Sequence, residues 1–127
     1  MSCNGVQRII LFDPRLRWGR GSETYGEDPF LTSSMTKSFV QALQEQRKDG
    51  LLKVGATCKH FAGYSLEQWS GISRFEFNAI INARDLQETY LPAFEACVDA
   101  KVSSIMCSYN LVNGSQNAIF THSICLM

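Results

Sequence analysis

Lys59 and His60 stand side by side at the end of an apolar run, Leu51-Leu52-Lys53-Val54-Gly55-Ala56-Thr57-Cys58. An ammonium beside an imidazole is unusual there, because a buried strand rarely ends in two cationic or titratable side chains unless something polar meets them. The pattern recurs twice. Val102-Ser103-Ser104-Ile105-Met106-Cys107 runs into Ser108-Tyr109-Asn110, and Ile9-Ile10-Leu11-Phe12 runs into Asp13-Pro14-Arg15 and then Arg17-Trp18-Gly19-Arg20-Gly21. Three apolar segments that each deliver hydrogen-bonding side chains at their C-terminal ends predict one site at one rim of a parallel sheet. On a regular strand Lys59 and His60 point to opposite faces, so the backbone must depart from extended geometry for both to meet one ligand, for instance through a cis peptide.

The loop from Trp18 to Asp28 is punctuated by Gly19, Gly21 and Gly26. It is not a phosphate cradle: no third glycine completes Gly-x-Gly-x-x-Gly, and no Gly-Lys-Ser/Thr follows. Its glycines permit tight turns around paired charges, with Glu23, Glu27 and Asp28 available to neutralise Arg15, Arg17 or Arg20. Arg20 is singled out as a ligand contact because flanking glycines allow close approach. Tyr109 can both donate and accept a hydrogen bond. Trp18, Trp69 and Tyr64 have faces that can stack on a sugar or serve packing.

The elements that must position these groups follow from periodicity. A first strand is expected over residues 7–12 and a second over 53–59, with a third over 102–107. Asp28-Pro29 opens a helix to about residue 46, with Leu31, Met35, Phe39, Ala42 and Leu43 as its apolar stripe and Lys37, Gln41 and Gln44 toward solvent. After a long loop over 61–82, Asn82 caps a second helix that Pro92 must kink or divide. The order βαβαβ favours a parallel sheet with right-handed crossovers. Three such strands leave both edges open, so the fold expected is α/β, a part of a (β/α)8 barrel.

Bulk properties narrow the functions. The chain has 127 residues, 45% apolar, with 12 basic and 12 acidic side chains. That balance argues against a broad nucleic-acid-binding surface, and no run approaches a membrane span. The N-terminus does not read as a secretory signal. Five cysteines include no Cys-x-x-Cys pair and no zinc-like spacing, and Cys58 and Cys107 are expected as buried free thiols. Asn113-Gly114-Ser115 fits a glycosylation sequon.

Taken together, three motifs resemble glycoside hydrolase family 3. Arg17-Trp18-Gly19-Arg20 through Gly26-Glu27-Asp28-Pro29, Cys58-Lys59-His60-Phe61-Ala62-Gly63-Tyr64, and Met106-Cys107-Ser108-Tyr109-Asn110 with Val112-Asn113-Gly114 stand in that family's order and spacing. Leu66-Glu67-x-Trp69 and Cys-Lys-His-Phe look closest to its β-xylosidase branch. The resemblance implies a fragment, residues 1–127, of an N-terminal (β/α)8 domain, with a family-like region at 17–114 and an atypical tail at 115–127. It implies an exo-acting, retaining β-glycosidase of xylan catabolism, extracellular in its full-length form, needing no cofactor and no metal. Its partner would be a carbohydrate ending in β-linked xylose or glucose.

By the same resemblance Arg20, Lys59 and His60 bond the hydroxyls of the terminal sugar, Tyr109 lies near the reacting centre and Met106 lines the pocket. Family members often have a cis bond at the Lys-His step. Retaining hydrolysis needs two carboxyl groups about 5–5.5 Å apart. No Asp or Glu here matches the family's nucleophile or acid/base, so the isolated chain is expected to be inactive. The alternatives are a non-catalytic sugar-binding module and a non-functional truncated product.

Overall fold

The computed structural model describes residues 2–4 and 18–116. The expected strand at 7–12, Arg15 and Arg17, and the tail beyond 116 lie outside the described residues. Along the chain come β1 (Ser2–Asn4), a 3-10 turn (Gly21–Glu23), α1 (Pro29–Leu43) and β2 (Thr57–Phe61). Next are β3 (Gln68–Trp69), β4 (Ile72–Ser73), β5 (Asn78–Ala79), α2 (Ala83–Asp85), a π-turn (Leu86–Tyr90) and α3 (Pro92–Asp99). The chain continues through β6 (Ser104–Cys107), β7 (Leu111–Val112) and β8 (Ser115–Gln116). The central sheet has the order β1-β2-β6, and both pairings are parallel.

Asp28 opens α1 as expected: its carboxylate accepts from Phe30 N at 2.8 Å and Leu31 N at 3.1 Å, and Pro29 occupies the first turn, where a missing N–H costs nothing. The buried face differs from the expected stripe. Thr32, Thr36 and Val40 are buried, Phe39 and Leu43 half-buried, and Leu31, Met35 and Ala42 exposed. The helix buries its small β-branched face instead, and the element it packs against most is α3.

Gln44 is a second correction. Expected in solvent, it is buried and stitches three segments together. Its Nε2 donates to Lys101 O at 2.7 Å, and its Oε1 accepts from Ala56 N at 3.1 Å, Ser103 N at 2.8 Å and Ser103 Oγ at 2.7 Å. One amide thus joins the end of α1 to the approaches of β2 and β6. The residues just before, Leu51, Leu52 and Val54, are exposed and fold back on the end of α1 through a bridge between Gln46 and Leu52. For that reason β2 begins at Thr57 rather than at 53.

The helix capped by Asn82, whose Oδ1 accepts from Asp85 N at 2.8 Å, reaches Pro92 through the π-turn. There Leu91 N donates to Leu86 O at 2.9 Å, five residues back. The widened turn absorbs the hydrogen bond that Pro92 cannot donate. The expected long loop also holds structure: β3 and β4 form a hairpin around Ser70-Gly71, both at positive φ, as a two-residue turn requires.

Val40, Ala56, Cys58, Phe61, Phe94 and Cys97 share one core, with the rings of Phe61 and Phe94 edge to face at 4.9 Å. Cys58 is not a free thiol: it is bonded to Cys97, which ties β2 to α3. Sequence spacing held no sign of this, since the pair is 39 residues apart. Cys107 is a free thiol, half-buried rather than buried.

Two stability predictions follow from these joints. Gln44→Ala leaves the buried Ala56 N and the partly buried Ser103 N and Lys101 O without this partner. A buried unpaired group costs about 1–3 kcal/mol, and urea denaturation should show a loss of about 2 kcal/mol or more. Replacing both Cys58 and Cys97 by Ser frees a 39-residue loop in the unfolded chain. Chain-entropy arguments put the loss at about 4 kcal/mol, readable as a lowered denaturant midpoint with no added reductant.

Candidate functional site

The expected departure from extended geometry is present: the Lys59–His60 peptide is cis, and so is Phe61–Ala62. The β2–β6 register shifts over the same stretch. Before the shift, Thr57 pairs with Ser104 and Lys59 with Met106. In-register residues of a parallel pair share a face, and Thr57 Oγ1 and Ser104 Oγ meet there at 2.6 Å. Lys59 and Met106 therefore stand on one face of the sheet. Cys58 and Ile105 stand on the other, in the core.

Past the shift, backbone and side chains of the third motif hold the second. Ser108 N donates to Phe61 O at 2.8 Å and Ser108 Oγ to Ala62 O at 3.0 Å. Asn110 Nδ2 lies 3.2 Å from Ala62 O and 3.3 Å from Gly63 O. Gly63 has φ +71, and a Cβ there would come within 3.0 Å of Ile81 Cδ1 and 3.3 Å of Ala79 Cβ. Only glycine suits both the torsion and the space. Tyr109, between the two clamping residues, is brought edge-on to Tyr64 at 6.2 Å.

Four of the five expected site residues gather around Tyr64 or beside its neighbours. The His60 ring meets Tyr64 edge-on at 5.0 Å, and Arg20 lies 5.6 Å above the Tyr64 ring. Arg20 is not a lone ligand contact: its guanidinium donates to both oxygens of Glu23 at 2.9 Å, and Lys59 Nζ lies 3.6 Å from Glu23 Oε2. The expected structural ion pair and the expected site residue are thus one and the same arginine. Met106 stands apart from this cluster, half exposed on the Lys59 face.

His60 is buried, and its Nδ1 has no hydrogen-bond partner among the described residues. Burial, followed by the positive charges of Lys59 and Arg20, pushes its imidazole down to about 4. The ring is neutral at pH 7, so it offers one donor and one acceptor. Arg20 is held charged, its affinity for the proton raised first by the Glu23 hydrogen bonds. The Tyr64 phenol is pushed up, chiefly by burial. Neutral imidazole, paired cations and phenols suit a neutral, hydroxyl-rich ligand, which both donates and accepts.

Arg74 carries no motif and was missed. Its Nη1 donates to Tyr64 Oη at 3.2 Å, and its guanidinium lies 4.9 Å over the Tyr109 ring and 5.0 Å over Phe75. Glu67 is likewise more than a branch marker: it accepts from Tyr64 Oη at 2.8 Å and lies 3.6 Å from Arg20 Nη1. The sequon residue Asn113 has its amide engaged, accepting from Ile81 N at 2.9 Å and donating to Ile81 O at 2.7 Å. It fastens the turn after β7 to the segment after β5.

The family described as glycosyl hydrolase family 3 N terminal domain matches residues 13–126. Beta-D-xylosidase 1 of Arabidopsis thaliana is 50% identical over 106 residues, covering 83% of this chain and 13% of that protein. The exo-1,4-beta-xylosidase bxlB of Emericella nidulans is 56% identical over 103 residues, covering 80% and 13%. The chain therefore spans about an eighth of the length of these relatives.

Among solved structures, a GH3 exo-beta-xylosidase (XlnD) in complex with a xylobiose aziridine probe superposes with a TM-score of 0.77 at 44% identity, covering 85% of this chain and 15% of that one. Beta-glucosidase 3B from Thermotoga neapolitana in complex with glucose gives 0.75 at 32% identity, covering 93% and 14%. The α/β class and the partial (β/α)8 topology expected from the sequence agree with these relatives.

The depressed imidazole has a testable consequence. A group whose folded value lies below its unfolded value favours folding above the unfolded value and loses that contribution as pH falls. For His60 the window runs from about 6.5 down to about 4. Denaturant midpoints measured across that window should fall more steeply for the parent chain than for His60→Gln.

Proposed function

The chain belongs to glycosyl hydrolase family 3, and from that premise we propose that it forms the terminal-sugar rim of an exo-acting, retaining β-xylosidase. The substrate class is a xylo-oligosaccharide ending in β-linked xylose. The observation that carries this reading is the buried, neutral His60 with an unpartnered Nδ1, set beside Lys59 and Arg20. In this proposal Arg20 and Lys59 donate to sugar hydroxyls, and His60 bonds a further hydroxyl through one ring nitrogen. Tyr109, 54% exposed, borders the reacting centre, and Met106 lines the pocket from the sheet face it shares with Lys59. Residues 1–127 are assigned to a fragment of one N-terminal (β/α)8 domain. An extracellular setting fits the Cys58–Cys97 disulfide, since such bonds persist in oxidising compartments.

Retention requires one carboxylate as nucleophile and one carboxylic acid as proton donor. Glu23 and Glu67 lie in the cluster, but each is held against cations: Glu23 by Arg20 and Lys59, Glu67 by Arg20 and Arg74. Paired in this way they are assigned to orientation, and neither is assigned to bond making. The same pairing favours the second reading, a chain that holds a sugar without turning it over.

Calorimetric titration of the 127-residue chain with xylose and glucose tests the sugar site. Binding is expected, and Lys59→Ala should weaken it at least tenfold, about the 1.4 kcal/mol of one charge-assisted hydrogen bond. No heat with either sugar overturns the reading. Aryl xyloside should release no nitrophenol; release that follows the chain through successive columns would overturn the role given to Glu23 and Glu67.

A further inference from the structure

In the sequence Tyr64 closes the second motif and is an aromatic available for stacking or packing, with no role of its own. In the fold it is fully buried and sits at the centre of the cluster. Four candidate or neighbouring groups meet its ring: His60 at 5.0 Å, Trp18 at 5.9 Å, Tyr109 at 6.2 Å and the Arg20 guanidinium at 5.6 Å. The ring contacts with His60, Trp18 and Tyr109 are all edge to face. That arrangement matches the positive edge of one ring to the negative face of another and fixes orientation as well as distance.

The phenol is anchored at its far end. It donates to Glu67 Oε2 at 2.8 Å and accepts from Arg74 Nη1 at 3.2 Å. Both anchors also reach the groups that border Tyr64. Glu67 Oε1, buried and without a hydrogen bond among the described residues, lies 3.6 Å from Arg20 Nη1. Arg74 covers the Tyr109 ring at 4.9 Å. Any tilt of the Tyr64 ring must therefore move Arg20, His60 and Tyr109 together. Tyr64 also belongs to neither of the two apolar clusters found among the described residues, so its burial serves this polar assembly.

We infer that Tyr64 is a positioning residue, held by Glu67 and Arg74, which sets the mutual placement of Arg20, His60 and Tyr109. The inference rests on the sugar-binding reading above for its effect on affinity. It has a separate consequence in the free chain. Tyr64→Phe keeps the ring and removes the anchored hydroxyl. Glu67→Gln keeps an acceptor for that hydroxyl and removes the charge beside Arg20.

The test combines two readouts on the full chain. In carbon-13-labelled protein without ligand, the ring signals of His60 and Tyr109 should shift in both variants. In calorimetry, each variant should bind xylose about three- to tenfold more weakly than the parent. In an Arg20→Ala background the further effect of Tyr64→Phe should shrink to less than twofold, because groups acting as a unit are not additive. A residue that merely fills space would lower the melting temperature and leave the affinity of the folded chain intact. Unchanged ring signals in both variants, or affinities within twofold of the parent, overturn the inference. If the parent binds no xylose, the sugar-binding reading falls, and the ring signals alone decide the role of Tyr64.

Discussion

The hydrogen bonds that Ser108 and Asn110 make to the carbonyls of Phe61, Ala62 and Gly63 are the joint on which the site depends. They take over where the regular β2–β6 ladder ends, at the register shift. A strand that leaves its ladder exposes carbonyls, and buried carbonyls without donors are costly. Here the donors come from two side chains and one backbone amide of the neighbouring strand's exit. Asn110 is almost completely buried, so little water competes for its donors. The residue between the two donors, Tyr109, is thereby set edge-on to Tyr64, the first residue after Gly63. One local solution to a backbone problem places the aromatic members of the site.

The charges around that joint form an alternating chain: Lys59 to Glu23, Glu23 to Arg20, Arg20 to Glu67, Glu67 to Arg74. Such pairs near the surface contribute little stability each. Their value lies in orientation, since a bidentate guanidinium has its plane fixed by its partner. Alternation also keeps the local field small. A site for phosphate would leave its cations unopposed, and the glycine-rich loop lacks the phosphate pattern as well. His60 stays neutral through burial first and through the cations of Lys59 and Arg20 second, with Glu23 and Glu67 acting in the opposite sense. The result is a set of fixed donors with a neutral imidazole among them, which is the inventory that a sugar hydroxyl can use in both directions.

Much of this was legible in the sequence because it was local. Asp28-Pro29, Asn82 and Pro92 announce helix starts and a break through their own backbone chemistry. The doubled cation-imidazole at the end of an apolar run announced the departure at Lys59–His60. What escaped was long-range. The partners of Gln44 lie 12 to 59 residues away, and a glutamine near a helix end looks like any solvated glutamine. Cys58 and Cys97 are 39 residues apart and sit in segments read separately as strand and helix. The buried face of α1 was misplaced because Thr32 and Thr36 count as polar in a periodicity argument, although both are fully buried in the fold. Arg74 stands in a loop of irregular backbone, where no periodicity says which way a side chain turns.

The two faces of the central sheet divide these tasks. On one face Cys58 and Ile105 join Val40 of α1 and Phe94 of α3 in an apolar core closed by the disulfide. On the other, Thr57 and Ser104 bond each other at the entry of the strands, and Lys59 and Met106 follow one pleat later. A strand buried on both sides reads as a continuous apolar run. Thr57-Cys58-Lys59 does not, because its second face carries polar work. That alternation persists only as far as Lys59. Beyond it the backbone leaves the pleat, and His60 enters the polar cluster from a position that strict alternation would have assigned to the core. The departure from regular structure is therefore what lets consecutive residues of one short segment serve a single site.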